Sequence, residues 1–384
     1  MDWLSNGFNY ILHNGLNWIL PFLVVLTVLV FVHELGHYLA ARRNGVRVQV
    51  FSIGFGPELF GRTDRAGTRW RVSLIPLGGY IKMFGDVDMS SARTDSPEDM
   101  TEEEKAVSFH HKRLMQRAEI VAAGPMANFL FAIIVLAIFF MTAGQPFTPA
   151  DIGQVLPGSA AEKAGLKVGD IIIAVDGKKV DRFEEVQQLV SANEGTPISI
   201  AVQRDGQDVA LQITPVVTSV TDIFGSVHHI GRIGVAHLGE AHYVRRGPIS
   251  AVGQAVAETW TISTGTLDAV WQIIVGTRSS DELGGPVSIA HMSGVVAKGG
   301  LADLIRFMAL LSVNLGLINL FPIPVLDGGH LLFYSAEAIR GRPLGQRAQE
   351  YGFGLGLALV LMLMVFVTWK DVFVHLPRWM GWGT

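Results

Sequence analysis

His33-Glu34-Leu35-Gly36-His37 sets two imidazoles four residues apart inside an otherwise apolar stretch. On a helix, residues four apart lie one above the other. Two neutral imidazole nitrogens can therefore reach one tetrahedral metal ion, with Glu34 beside the remaining coordination position. This set suits metal-assisted hydrolysis, in which zinc acidifies a water and polarises a carbonyl while a carboxylate moves the proton. Ionisable groups near a bilayer core are costly unless paired, hydrated or bound to an ion, so three within five residues demand a partner. Two readings compete with a metal site: a hydrogen-bonded cluster that pairs helices, and a proton relay of the kind used by transporters. The chain has no cysteine, which excludes thiolate ligands, disulfides and a cysteine nucleophile and leaves any metal to His and carboxylate.

A second run, from Asn319 through Pro322, Pro324 and Asp327 to Gly328-Gly329-His330, follows a distant apolar stretch. Both prolines remove backbone donors and disfavour helix, so the chain must unwind where Asp327 is presented. Non-helical backbone at membrane depth is tolerated only inside protein or beside a wet cavity. His110, His111, His228 and His229 stand in polar stretches and read as solvated rather than metal-bound.

The elements that position these groups follow from composition. With 49% hydrophobic side chains and a mean hydropathy of +0.36, the 384 residues are too apolar for an ordinary soluble enzyme and predict a polytopic α-helical membrane protein. A net charge of −4 offers no basic face, which excludes nucleic acid as a partner. Runs long enough for a hydrocarbon core of ~30 Å occupy residues 18–41, 122–143, 304–320 and 351–369. The first lacks a basic segment before it and reads as a retained helix, not a signal peptide. Arg42, Arg43 and Arg47 after it, Lys112, Arg113 and Arg117 before the second, and Arg340, Arg342 and Arg347 between the last two place those loops inside and the N-terminus outside. Residues 251–276 are apolar but interrupted by Glu258 and Asp268, which predicts a helix lying on the outer membrane surface. A fifth span is the rival, and it would put Asp327 in the opposite leaflet from His33 and His37.

Residues 46–56 alternate and are answered by residues 70–83, predicting a β-hairpin that dips back into the membrane. Its edge near Gly54 and Gly56 would accept an unwound peptide as an added strand, because a helix cannot be cut as a helix. An ordinary cytosolic hairpin with a bulge at Gly54 and Gly56 is the alternative. The acidic stretch 86–105 reads as a flexible cytosolic loop, and Gly352, Gly354 and Gly356 as close-packing positions for a neighbouring helix. Residues 147–238 are polar and Gly-punctuated, and 152–180 resemble a PDZ domain, an α+β fold that binds extended peptides beside a sheet edge. Gly231, Ile233 and Gly234 fit its peptide-binding loop in permuted order, or a plain turn before an edge strand. The resulting division is 1–45 (first span), 46–84 (re-entrant hairpin), 85–117 (cytoplasmic loop), 118–146 (second span) and 147–238 (PDZ domain). It continues with 239–302 (extracytoplasmic amphipathic segment), 303–330 (third span and Pro-rich motif) and 331–384 (cytoplasmic turn and fourth span).

HExxH on the first span joined to NxxPxPxLDG after a later one resembles the site-2 protease family of intramembrane zinc metalloproteases. Within that family it is most similar to the bacterial regulators of sigma-E. Residues 123–129 (AGPMANF), Gly284-Gly285-Pro286 and the PDZ insertion extend the resemblance along nearly the whole chain. The resemblance implies His33, His37 and Asp327 as zinc ligands, Asp327 being preferred over His330, and Glu34 as general base. It implies that Asn319 holds substrate or donates a hydrogen bond worth ~3 kcal/mol to the reacting oxyanion. An interhelical hydrogen bond is the alternative for Asn319. It further implies a bacterial cytoplasmic (inner) membrane, with the PDZ domain outside and the active site near the inner side. Substrates would be single-span proteins shortened by another protease, such as anti-sigma factors, or remnant signal peptides, with the PDZ domain as a size filter. This chain carries one PDZ domain where many sigma-E regulators carry two. A transporter would explain the buried His, Glu and Asp but requires neither the HExxH spacing nor a PDZ domain. A peptide-binding scaffold would leave the buried motif without a purpose.

Overall fold

The apolar run beginning at Asn17 continues a longer helix, α1 (Asp2–Arg43), closed by Arg42 and Arg43 at its negative dipole end. The computed structural model describes residues 2–85, 100–193, 195–221, 227–237, 242–276, 283–342 and 344–379. Among these, four helical stretches are long and apolar enough to cross a membrane: Asn17–Arg43, Leu114–Thr142, Leu301–Asn319 and Arg347–His375. The protein is a polytopic helical membrane protein, and each stretch starts before the run expected from hydropathy because polar end residues keep helical hydrogen bonding.

After α1 come β1 (Val48–Thr63) and β2 (Arg69–Met83), joined by a turn that Asp64 holds by accepting from the Ala66 and Thr68 amides at 2.8 and 3.0 Å. The hairpin is folded over on itself. Ser52 pairs with Tyr80 on one side and Arg71 on the other, and Ile53 with Gly79 and Val72. Gly54 and Gly56 sit at the fold of β1 with φ of +85° and +87°. The simple edge expected there is therefore replaced by a bend, because residues 50–53 already have strand partners on both sides. The acidic stretch also differs from expectation. Residues 86–99 lie outside the described residues, but α2 (Glu102–Val107) is helical, nucleated by a capping box between Thr101 and Glu104.

The second span is α3 (Leu114–Thr142). Beyond it follow β3 (Gln145–Phe147), β4 (Gln154–Val155), α4 (Ala160–Lys163), β5 (Ile171–Val175), β6 (Lys178–Lys179), α5 (Phe183–Ser191), β7 (Ile198–Arg204) and β8 (Gln207–Ile213). β9 (Val216–Thr221), β10 (Val227–Arg232), β11 (Val235–Ala236) and β12 (His242–Val244) complete an α+β unit, compact within Phe139–Gly247. Its main sheet runs β6-β5-β7-β8, with β9 on β10, β4 on β11 and β3 on β12. Ile198, Ile200 and Val202 alternate inward from β7 and meet Val186 and Val190 of α5 in one core.

Asp170, at the start of this sheet, is 1% exposed and accepts two hydrogen bonds from the Arg204 guanidinium, each 2.7 Å. The Arg204 bonds hold its carboxyl below the ordinary 3.8. A depressed carboxylate stabilises the fold fully above the unfolded pKa, and that contribution is lost as pH falls through the folded one. Asp170→Asn is expected to remove about 1–3 kcal/mol at neutral pH and to remove the acid-sensitive part of the unit's stability. Hydrogen exchange at Ile172 and Val202 in the full chain measures both, and unchanged protection at pH 7 would refute the assignment.

α6 (Pro248–Ile274) is helical over the amphipathic stretch and is not one of the four spans. Ala251, Ala255 and Thr259 are buried, and Thr266 Oγ1 donates to Asn314 Oδ1 at 2.9 Å. Asn314 belongs to the third spanning helix, α8 (Leu301–Asn319), which follows α7 (Pro286–Lys298). The free amides at the start of α7 are satisfied from far along the chain, where Asp371 accepts from Gly285, Val287 and Ser288 N–H at 2.9–3.1 Å. α9 (Asp327–Arg340) and α10 (Gln346–Lys370) complete the helical unit, α10 running on through a π-helical turn at Asp371–His375.

Candidate metal centre and active site

α1 stacks His33 above His37, and the start of α9 brings Asp327 to them across 290 residues of chain. His33 Nε2 lies 3.3 Å from His37 Nε2, and Asp327 Oδ2 lies 3.2 and 3.5 Å from the two nitrogens. Among the described residues this is the one group of three or more potential ligands gathered closely enough to hold a metal ion. The geometry fits zinc. A tetrahedron with bonds of about 2.0–2.1 Å has edges of about 3.3–3.4 Å, close to the three observed separations. The electrostatics agree, since Asp327 Oδ2 is buried with no hydrogen-bond partner, and two imidazole lone pairs facing a carboxylate oxygen need a cation between them.

The outer ring nitrogens determine which nitrogens face inward. His37 Nδ1 donates to the Ile120 carbonyl at 2.8 Å, so in the neutral ring Nε2 is the unprotonated nitrogen and faces the centre. His33 Nδ1 has Asn128 Nδ2 at 3.1 Å, while Asn128 Oδ1 is buried without a partner. Turning that amide over sets its oxygen on His33 Nδ1–H and leaves both Nε2 atoms free for metal. Asn128 is fixed in turn, because Ser312 Oγ of α8 donates to its backbone carbonyl at 2.9 Å.

Small residues allow α3 to approach this closely. A Cβ at Gly124 would overlap His37 Nε2, and one at Gly36 would overlap the Ala123 carbonyl. From α8, a Cβ at Gly316 would sit 2.9 Å from the Pro125 carbonyl. α3 is thereby clamped between the motif helix and α8.

Asp327 is presented by an unwound loop, as the prolines predict. Val325 holds φ +104°, a strained conformation for a β-branched residue, two positions before the carboxylate. The loop is supported from α10, where a Cβ at Gly356 would strike the Pro324 carbonyl. Gly352 faces the Phe333 ring of α9, with a would-be Cβ 2.9 Å away, but among the described residues nothing lies within 4 Å of a would-be Cβ at Gly354, which packs against none of them. Arg117 ties α9 to α3 through Glu337 at 2.6 Å and stacks over Tyr334.

Glu34 stands beside the ligands with the hairpin against it. The Ile81 N–H faces its carboxylate, and a Cβ at Gly79 would be 3.4 Å from Glu34 Cγ. The half of β2 that borders the catalytic motif is therefore 79–81, and Gly54 and Gly56 lie at the neighbouring bend. A Cβ at Gly54 would come within 2.6 Å of the Ile75 carbonyl, whereas Gly56 has room beside Ile75. Asn319 is the last residue of α8, half-buried, and its side chain makes no hydrogen bond to another helix among the described residues. His330 packs against Phe353 and Tyr334 and is not in the ligand group. His110 and His111 are exposed, and the side chains of His228 and His229 lie outside the described residues.

In the α+β unit, a cavity of about 370 Å³ lies between α5 and β11, lined by Phe183, Gln187, Val235 and His237. Gly231, Ile233 and Gly234 do not line it. Gly231 pairs with Val217, Ile233 is buried in the core, and Gly234 at φ +81° accepts from Leu156 N–H at 2.9 Å. Ile233 lies in the short link between β10 and β11, where its carbonyl accepts from Ala161 N–H at 2.8 Å.

The residues not assigned a site role from sequence are Asn128, Gly124, Ile120 and Val325. A polar Asn four residues after a glycine in an apolar span was the available signal for the first two. A backbone carbonyl and a strained φ leave no signal in residue type.

The model of peptidase family M50 matches residues 21–363. A protein of Rhizobium meliloti bearing the name of a zinc metalloprotease is 47% identical over 94% of this chain and 98% of its own. A similarly named protein of Agrobacterium fabrum is 46% identical over 92% and 95%. Metalloprotease MmpA of Caulobacter vibrioides is 38% identical over 91% and 94%. The PDZ domain of an SdrC-like protein from Listeria monocytogenes aligns with 24% of this chain and 92% of its own at 17% identity, with a TM-score of 0.19.

Proposed function

This chain belongs to peptidase family M50 and is a zinc metalloprotease, and we propose that it hydrolyses peptide bonds within or beside membrane-spanning segments of other proteins. The observation that carries this reading is the triad of His33, His37 and Asp327 at 3.2–3.5 Å, borne by a helix long and apolar enough to cross a bilayer.

His33 and His37 through Nε2 and Asp327 through Oδ2 would hold the zinc. Zinc supplies an acidified water and a polarised scissile carbonyl when bound. Glu34, not itself a ligand, takes the proton released at the attacking water and returns it to the departing amine nitrogen. Asn319, with an unspent amide at the end of α8, donates to the substrate carbonyl oxygen. Asn128 and the Ile120 carbonyl act as positioning groups that fix the two imidazole tautomers.

The cut segment must leave helical geometry before its carbonyl is accessible. The hairpin beside Glu34 supplies strand backbone for an extended segment, with Gly54 and Gly56 shaping the bend. Gly54→Val with Gly56→Val is expected to stop cleavage while zinc stays bound, since φ near +85° excludes β-branched residues. Unchanged cleavage would remove the hairpin from substrate binding.

The bacterial relatives support a cytoplasmic membrane location, and the Lys and Arg distribution an orientation with the α+β unit outside and the metal centre near the inner face. Single-span proteins, of the anti-sigma factor or remnant signal peptide kind, are the proposed substrates. The groove between α5 and β11 would take an extended peptide.

Metal removal tests the reading. Incubating the purified chain with a strong chelator should abolish cleavage of a single-span reporter, and stoichiometric zinc should restore it. Turnover indifferent to chelation in protein devoid of zinc would refute it.

A further inference from the structure

At the end of α8 opposite Asn319, helices α3, α6, α7 and α8 border an open cavity of about 410 Å³, lined among others by Leu136, Glu258, Asp303, Arg306, Phe307 and Leu310. Its wall is graded. At a rise of 1.5 Å per residue, Asp303 and Arg306 lie about 3 and 8 Å from the start of α8, and Phe307 and Leu310 about 9 and 14 Å. Leu136 lies about 9 Å before the end of α3. Both spanning helices therefore put the charged part of the cavity at the depth where headgroups meet the hydrocarbon core, and the apolar part below it.

Neither Asp303 nor Arg306 forms a hydrogen bond or ion pair with any described residue. A Cβ at Gly299 would overlap the Asp303 carboxylate, so the glycine leaves that group room at the cavity wall. A guanidinium near the membrane boundary seeks phosphate, which it can grip with paired N–H donors. The carboxylates of Asp303 and Glu258 line the same cavity and can accept from a cation with N–H donors, which a primary ammonium has and a quaternary ammonium lacks. A purely anionic headgroup would meet two like charges.

We propose that this cavity binds an aminophospholipid, with its phosphate on Arg306, its ammonium between Glu258 and Asp303, and its acyl chains along Leu136, Phe307 and Leu310. The proposal rests on the membrane-spanning helices and is independent of the substrate reading above.

The test reconstitutes the full chain into vesicles of equal parts phosphatidylethanolamine, phosphatidylglycerol and phosphatidylcholine, re-extracts it in mild detergent and measures retained lipid by mass spectrometry. Phosphatidylethanolamine is expected to be enriched about tenfold, the ratio that 1.4 kcal/mol of preference gives. Arg306→Gln and Glu258→Gln should each abolish the enrichment, Arg306→Lys should keep it, and zinc content should stay parental in all three. Equal retention of the three lipids, a preference for phosphatidylglycerol, or enrichment untouched by either Gln substitution would overturn the proposal. If a variant fails to fold, the lipid ratio on the unsubstituted chain decides.

Discussion

Glu34→Gln should lower cleavage of a single-span substrate by about 10²–10⁴-fold while zinc content stays parental. The amide has the size of the carboxylate and its oxygen can still face the Ile81 N–H, so the hairpin contact persists. It cannot accept the water's proton, and proton movement is the role proposed for this group. The ligand atoms, His33 Nε2, His37 Nε2 and Asp327 Oδ2, are untouched, and so are the Ile120 and Asn128 contacts behind them. The informative measurement pairs cleavage rate with zinc per chain in one preparation. Parental cleavage with zinc bound would take Glu34 out of the mechanism, and loss of zinc would mean that the residue organises the site instead of acting on the proton.

Gly124→Ala adds a single methyl group and is expected to cost both zinc and activity. The new Cβ would overlap His37 Nε2, the atom that faces the metal. The ring has nowhere to retreat, since its Nδ1 is pinned to the Ile120 carbonyl at 2.8 Å and the residue is 8% exposed. Relief must come from turning the ring off its ligand geometry or from pushing α3 away from α1, where Gly36 sits against the Ala123 carbonyl. Either displaces a ligand, and loss of an orienting contact alone lowers metal affinity about 10–100-fold. A zinc-buffer titration of the purified variant measures this. Gly354→Ala is the matched control, because nothing lies within 4 Å of its would-be Cβ. Parental zinc affinity in Gly124→Ala would refute the clamp.

The readings that came directly from the residues depend on local periodicity. HELGH puts two imidazoles on one face wherever the segment is helical, and the apolar runs make the four spanning helices unavoidable. Pro322 and Pro324 forced the unwinding before Asp327. Readings failed where a distant partner decides. The hairpin was legible as two alternating runs, yet its fold at Gly54 and Gly56 gives residues 50–53 two partner strands, which alternation does not encode. The core position of the Ile233 side chain is likewise set by distant partners, since its cluster gathers residues from Ala150 to Ile213. The acidic charge of 86–105 points to a loop, yet its end enters the helix Glu102–Val107, which the pair Thr101 and Glu104 starts.

From the sequence alone come the donor atoms, their pairing on one helix, the membrane as solvent, and the place where the chain must leave helical geometry. These depend on side-chain chemistry and on hydrogen bonding between near neighbours. Tertiary structure alone decided that Asp327 meets His33 and His37, that Ile120 and Asn128 back the imidazoles, and that Val325 is held in strain beside them. Those depend on how closely α1, α3, α8 and α10 approach. That approach is set by glycines whose missing side chains have meaning only once the opposing atoms are in position.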